Sequence, residues 1–274
     1  MTAILPTNEV AYFERLAEVE SAHWWSRGMW RIASYWLARA LRGKRGLSAL
    51  DVGCGTGFTA ARLASRLEIG EVIGLDPSRE ALMQARRHGC HWVRGSALDL
   101  PFASESIDIV TCFDVFQHLL DGADATAASE IRRVLRPGGV ALLRANARSW
   151  LPEGARAGKQ FRLAELTAVI EKAGLNVRRA SYANCLPAFA QELRDRANAR
   201  LRPRVVRPSN HSGLRITVPG RLVNRMMGGV ASAEALLAGP GGCALPFGHS
   251  TLVLAERVAA ARPGQSETAV RTES

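Results

Sequence analysis

Ten residues, Ala49 to Phe58 (ALDVGCGTGF), constrain the fold of this chain more than any other stretch. An apolar run carrying one acid, Asp51, passes directly into glycines at alternate positions, Gly53, Gly55 and Gly57. Residues without side chains at that spacing let the backbone between a strand and a helix turn sharply and lie against a flat ligand. A dinucleotide fingerprint would place its third glycine where Phe58 stands, and a phosphate loop ending in Gly-Lys-Ser/Thr is absent. The Asp51 carboxylate would repel a pyrophosphate set on the helix N-terminus, so the turn suits a ligand carrying positive charge.

The rest of the chain repeats the strand and helix alternation. Strands are expected at 49–52, 71–75, 91–93, 107–113, 140–145, 177–182 and 251–257. Helices are expected at 59–67, 123–135 and 163–173, with another running from a Ser78 cap to about Arg87. Such alternation reads as a doubly wound parallel sheet whose ligand lies outside the carboxyl ends of the strands. Ahead of it, residues 8–41 have a helical pattern that the cluster His23, Trp24, Trp25, Arg27, Trp30 and Arg31 interrupts or ends. After Asn184 the regularity stops, and two or three helices broken by Pro187, Pro203, Pro208 and Pro219 are expected before the last strand. The expected division is a helical cap at 1–47, a core at 48–183, a mostly helical insertion on the acceptor side at 184–248, the final core strand at 249–261 and a disordered tail at 262–274.

Charge bears on partners. The 274 residues hold 36 Lys+Arg against 25 Asp+Glu, a formal +11. Only Lys44, Lys159 and Lys172 are lysines, so base composition explains this balance as readily as a phosphate-binding surface. Nine arginines against three acids put +6 of the excess into residues 184–248. That segment is open to three readings: a solvated face, an attractor of anionic substrate, or a peripheral membrane contact. Five scattered cysteines without a Cys-x-x-Cys pair argue against a disulfide framework or a zinc ribbon, and no metal site is expected. No basic leader precedes an apolar run, and the longest uncharged stretch, 235–255, is broken by glycine and proline. The expectation is a cytoplasmic protein without a transmembrane segment, its oligomeric state left open.

Over residues 48–183 the sequence resembles class I S-adenosylmethionine-dependent methyltransferases of the bacterial small-molecule type. Besides the glycine turn, four stretches match in order: Val72 to Ser78, Gly95 to Phe102, Ser106 to His118 and Arg133 to Gly139. The resemblance implies a Rossmann-like, doubly wound, seven-stranded α/β sheet with helices on both faces, a helical cover before it and a helical insertion before the last strand. It also implies S-adenosyl-L-methionine as cofactor. Asp51, Gly53, Cys54, Gly55 and Gly57 would line the cofactor turn, and Asp76 with Pro77 would take the ribose hydroxyls. Ser96, Ala97 and Leu98 would border the adenine, with Phe113 and Asp114 at the end of the fourth strand. Trp24 and Arg27 would close over the methionine end. Two positions depart from the family: Ser96 stands where an acid is usual, and Gln117 where many relatives have glutamate.

In-line methyl transfer depends on alignment and exclusion of water, and a hydroxyl or acidic carbon acceptor also benefits from a base. His118 is the candidate base; the alternative is a histidine that only packs at a helix start. Leu222, Val223, Met226 and Met227 could line an acceptor pocket or fill a core. The implied activity is methyl transfer to an oxygen or carbon of a small-molecule or lipid- or sugar-linked acceptor. Two rivals stand beside it: an RNA methyltransferase, disfavoured because Phe113 to Phe116 lacks the Asn/Asp-Pro-Pro-aromatic tetrad, and a cofactor-binding regulatory protein without turnover.

Overall fold

The computed structural model describes residues 9–67, 69–148, 159–190, 218–240 and 242–258. Two helices, α1 (Glu9–Ala22) and α2 (Trp24–Ala40), precede the sheet. The break between them is a cap: the His23 side chain accepts a hydrogen bond from the Trp25 backbone N–H at 3.1 Å. There follow β1 (Ser48–Val52), α3 (Phe58–Arg66), β2 (Glu71–Asp76), α4 (Arg79–Ala85), β3 (His91–Arg94) and β4 (Ile107–Phe113). A single 3-10 turn, Phe116–His118, leads into α5 (Ala123–Val134), β5 (Leu135–Asn146), α6 (Leu163–Lys172) and β6 (Asn176–Ala183). Helical residues 185–190, then α7 (Arg221–Ala238) and β7 (Ser250–Glu256), complete the described chain. Residues 191–217 and the 262–274 tail, with Arg200, Arg202 and Arg204, lie outside the described residues.

The seven strands form one sheet in the order β3-β2-β1-β4-β5-β7-β6. The parallel arrangement expected from the sequence holds for β1 to β5, but β7 runs antiparallel to both its neighbours, so the sheet is mixed. The cause lies in the insertion. Ser250 pairs with Ala183, so the segment between β6 and β7 leaves and returns at the same carboxyl edge, and the returning strand has to run back. Residues 136–139 form a bulge within β5: Ile107 pairs with Leu135 and Ile109 with Val140, leaving those residues looped out.

Alternation along the strands sorts the side chains into two cores. Leu50, Val52, Val110, Cys112 and Leu143 face the layer holding α5 and α6, and Phe116 and Phe161 pack edge to face there at 6.5 Å between centroids. Ala49, Ile109, Leu142 and Leu254 face the layer of α2 and α7, where Met29, Trp36 and Leu37 are buried. Asp51 and Thr111 share the parity of Ala49 and Ile109, and this places two polar side chains beneath the N-terminal helices. Helices α2 and α7 run side by side in the same direction. Trp24 N–H donates to Asn224 Oδ1 at 2.9 Å at one end, and Trp36 Nε1 donates to the Ala238 carbonyl at 2.7 Å at the other. The cap and the insertion therefore form one helical layer over the sheet.

Candidate functional site

The glycine turn gathers at the carboxyl ends of β1 and β2. Gly53 and Cys54 donate their N–H groups to the Leu75 carbonyl at 2.7 and 3.0 Å, which folds the turn against β2. Gly53 has a φ of 69°, and a Cβ there would lie 2.2 Å from Val115 Cγ2, so it is held by close approach as well as conformation. Gly55 has a φ of 53°, yet nothing stands within 4 Å of where its Cβ would be. Its lack of a side chain thus leaves space above the turn without serving any internal packing.

Three carboxyl groups surround this turn. Asp76, at the end of β2, accepts from the N–H groups of Gly55 and Ser78, both at 2.9 Å, one on each oxygen. Each oxygen keeps a second lone pair for a further donor. Asp51 is 2% exposed: Oδ1 accepts from the Thr111 hydroxyl at 2.6 Å, while Oδ2 is buried with no hydrogen-bond partner. Burial pushes its pKa up to about 7 against the opposing influence of the Thr111 hydroxyl and the Ala60 backbone. Glu20, from α1, receives a short hydrogen bond from the Thr56 hydroxyl, and burial raises its pKa to about 7 as well. An orphaned carboxylate oxygen at full burial is costly unless a cation meets it.

The neighbouring strand end is built around Arg144 of β5. Its guanidinium pairs with Asp114, Nε lying 3.2 Å from Oδ1, and stacks between the rings of Trp25 and Phe113 at 4.7 Å from each centroid. Asp114 adopts a left-handed φ of 60° at the end of β4, turning its carboxylate toward β5. Arg144, Trp25, Phe113 and Phe58 line a small space of about 30 Å³ with Glu20 and Ser26. Helix α1 lies across the turn, since that space has room for about one water.

The fold thus brings Asp51, Gly53, Cys54, Gly55, Gly57, Asp76, Phe113 and Asp114 to one edge, with Ser96 to Leu98 following β3 beside Asp76. Gly95 N–H donates to the Asp76 carbonyl at 3.2 Å, and Ser96 Oγ accepts from Leu98 N–H at 3.1 Å. Pro77 is exposed beside them, its carbonyl accepting from Arg94 Nε at 3.0 Å. Gln117 is buried and its Oε1 accepts from Asn146 N–H at 2.8 Å, fixing the end of β5. His118 is exposed on the 3-10 turn after β4.

Trp24 and Arg27 stand elsewhere. They line a cavity of about 380 Å³ against α7, while Trp25, the next residue, faces the sheet edge. Helical periodicity separates them: positions 24, 27 and 31 share one face of α2, and the buried positions 29, 32 and 36 lie on another. On α7, Leu222, Val223 and Met226 are exposed, Met226 by 64%, so they do not fill a core among the described residues. Sequence reasoning passed over Glu20, Thr111 and Arg144. Only Arg144 left a local signal, as the lone charge within the run 139–145 of β5, whose other residues are all buried.

A family model for a methyltransferase domain matches residues 49–139. Over 143 residues the chain is 34% identical to a 2-phytyl-1,4-naphtoquinone methyltransferase of Trichormus variabilis, covering 48% of this chain and 62% of that protein. It is 35% identical over 140 residues to a probable S-adenosylmethionine-dependent methyltransferase of Mycolicibacterium smegmatis, covering 48% of this chain and 53% of the relative. The matched segment thus spans little more than half of these curated relatives. Among solved structures, a TehB-like SAM-dependent methyltransferase from Corynebacterium glutamicum aligns with 92% of this chain and all of its own, at a TM-score of 0.54 and 16% identity. The [4+2]-cyclase SpnF aligns with 84% of this chain and 81% of its own, also at 0.54, with 18% identity. One sheet architecture therefore carries more than one chemistry.

Proposed function

We propose that residues 49–139, which match a methyltransferase-domain model, form a class I S-adenosylmethionine-dependent methyltransferase domain, and that the protein transfers a methyl group to an oxygen or carbon of a small-molecule or lipid- or sugar-linked acceptor. The observation that carries this reading is the open face of Gly55, where a side chain would meet nothing, with Asp76 accepting from the Gly55 and Ser78 N–H groups and keeping a lone pair free on each oxygen. These groups fit the cofactor's chemistry: Asp76 can accept from two vicinal hydroxyls, and the Asp51 and Glu20 carboxyls meet positive charge. When bound, S-adenosylmethionine supplies an electrophilic methyl group carried on a sulfonium.

The chain's own contribution is placement and exclusion of water. Phe113 and Trp25 present ring faces over the strand ends, with Arg144 clamped between them and by Asp114, so this wall is rigid. Helix α1 covers the turn through Glu20 and Thr56, and it has to lift for a ligand of the cofactor's size to enter. His118, exposed just beyond β4, is the proposed proton acceptor from the substrate. Neutral Gln117 does not replace it, because its carbonyl oxygen is committed to Asn146.

Incubating the protein with methyl-labelled cofactor and fractionated cell extract, then identifying labelled small molecules by mass spectrometry, tests this reading. A labelled product together with S-adenosylhomocysteine is expected. Cofactor binding with no product in any fraction would favour a protein that uses the fold without methyl transfer. With the acceptor in hand, His118→Ala is expected to lower kcat about 100-fold or more while leaving cofactor affinity unchanged.

A further inference from the structure

Several described arginines pair with carboxylates: Arg133 with Glu130, Arg136 with Asp108, Arg148 with Glu165 and Arg178 with Glu256. Four others gather on one cavity without a carboxylate among them. Arg27 and Arg31 on α2, and Arg221 and Arg225 on α7, each pair spaced by four residues, converge on the cavity of about 380 Å³ between the two helices. No carboxylate lines that cavity, and among the described residues none of the four has an acidic partner.

The cavity is a built one. Asn224 joins the starts of the two helices, accepting from Trp24 N–H at 2.9 Å and donating from Nδ2 to the Ala22 carbonyl at 2.9 Å. Arg31 Nη1 donates to the Ser232 hydroxyl, which donates in turn to the Gly228 carbonyl at 2.5 Å. Because α2 and α7 run in the same direction, their positive N-terminal ends lie on the same side as the arginines. Four like charges in a concave site are self-repelling, and an anion relieves that repulsion. Guanidinium forks match phosphate oxygens two at a time.

We propose that this cavity binds the phosphate or diphosphate ester group of the acceptor. Its volume is that of a small-molecule site and exceeds the needs of inorganic phosphate alone. The role as acceptor anchor rests on the methyl-transfer reading; the anion site itself does not. Trp24 lines the cavity and Trp25 lines the space beside Phe113, so the anchored anion lies about one helix diameter, ~10 Å, from the strand ends. An acceptor held there would carry its reacting atom at roughly that distance from its phosphate.

The test is a calorimetric titration of the full chain, without cofactor, using inorganic pyrophosphate. The wild type is compared with Arg221→Gln/Arg225→Gln and with a control of equal charge loss, Arg42→Gln/Arg87→Gln. Wild type and control are expected to bind alike, and the cavity variant at least about tenfold more weakly with unchanged circular dichroism. No binding to wild type, or equal loss in the control, overturns the proposal. Phosphatidylglycerol vesicles form the second arm: recruitment to vesicles without pyrophosphate binding also overturns it, by assigning the arginines to a lipid surface. Failure of the methyl-transfer reading would appear only in a separate titration with S-adenosylmethionine.

Discussion

Two glycines in the same turn have opposite reasons to be glycine, and substitution separates them. At Gly53 an alanine Cβ meets Val115 at 2.2 Å on a backbone with positive φ, so Gly53→Ala is expected to destabilise the fold by about 2 kcal/mol or more, read from the urea midpoint. At Gly55 the Cβ meets nothing, so Gly55→Ala is expected to cost only about 1 kcal/mol for its left-handed φ while weakening cofactor binding at least tenfold. Asp51 and Glu20 make a pH prediction. Both folded-state values, about 7, lie above those of the unfolded chain, so their contribution to stability is full at low pH and is lost as pH rises through about 7. Urea unfolding at pH 5.5 and 8 should show that loss, and Asp51→Asn should make the slope shallower. Cofactor affinity is expected to move the other way, strengthening from pH 6 to 8 as the carboxyls ionise against its positive charge. Asp51 and Asp76 were legible in the sequence because each lies at or next to the end of a strand, beside its own turn. Glu20 and Thr111 were not, because their meeting with the turn depends on how α1 folds back and on the β1-to-β4 register.

At the scale of elements, the strands were readable from apolar runs and their punctuation, since burial on both faces imposes those runs. The direction of β7 was not, because nothing within 250–256 records that the chain returns from the same edge it left. The pairing of α2 with α7 was likewise hidden: it depends on Gly28, whose Cβ would come 2.6 Å from Ala231 Cβ. Gly28→Ala is therefore expected to lower stability by about 1–3 kcal/mol, and Ala231→Gly to recover part of that loss in the double variant, as measured by denaturant unfolding. Helix α1 buries little beyond Val19 and holds the turn through Glu20. Its amides at 9–22 are expected to exchange quickly in the free protein and to become protected when cofactor binds, by hydrogen-exchange mass spectrometry.

At the scale of the whole molecule, charge and chemistry divide along the helical layer. The carboxylate-ringed turn faces one side of α2 and the arginine cavity the other, so a net charge of +11 coexists with a local cluster of carboxyl groups. Among the described residues no helix is long and apolar enough to cross a membrane and no cluster could hold a metal ion. On the proposed reading, the four cavity arginines bear on what the acceptor carries, while Asp51 and Asp76 of β1 and β2 bear on the methyl donor. The measurement closest to the central claim is a calorimetric titration of S-adenosylmethionine into wild type and Asp76→Ala at pH 8. Saturable one-site binding to wild type, weakened at least about 30-fold in a variant that stays folded, is the predicted result; absence of binding to wild type, or equal binding by both, would contradict it.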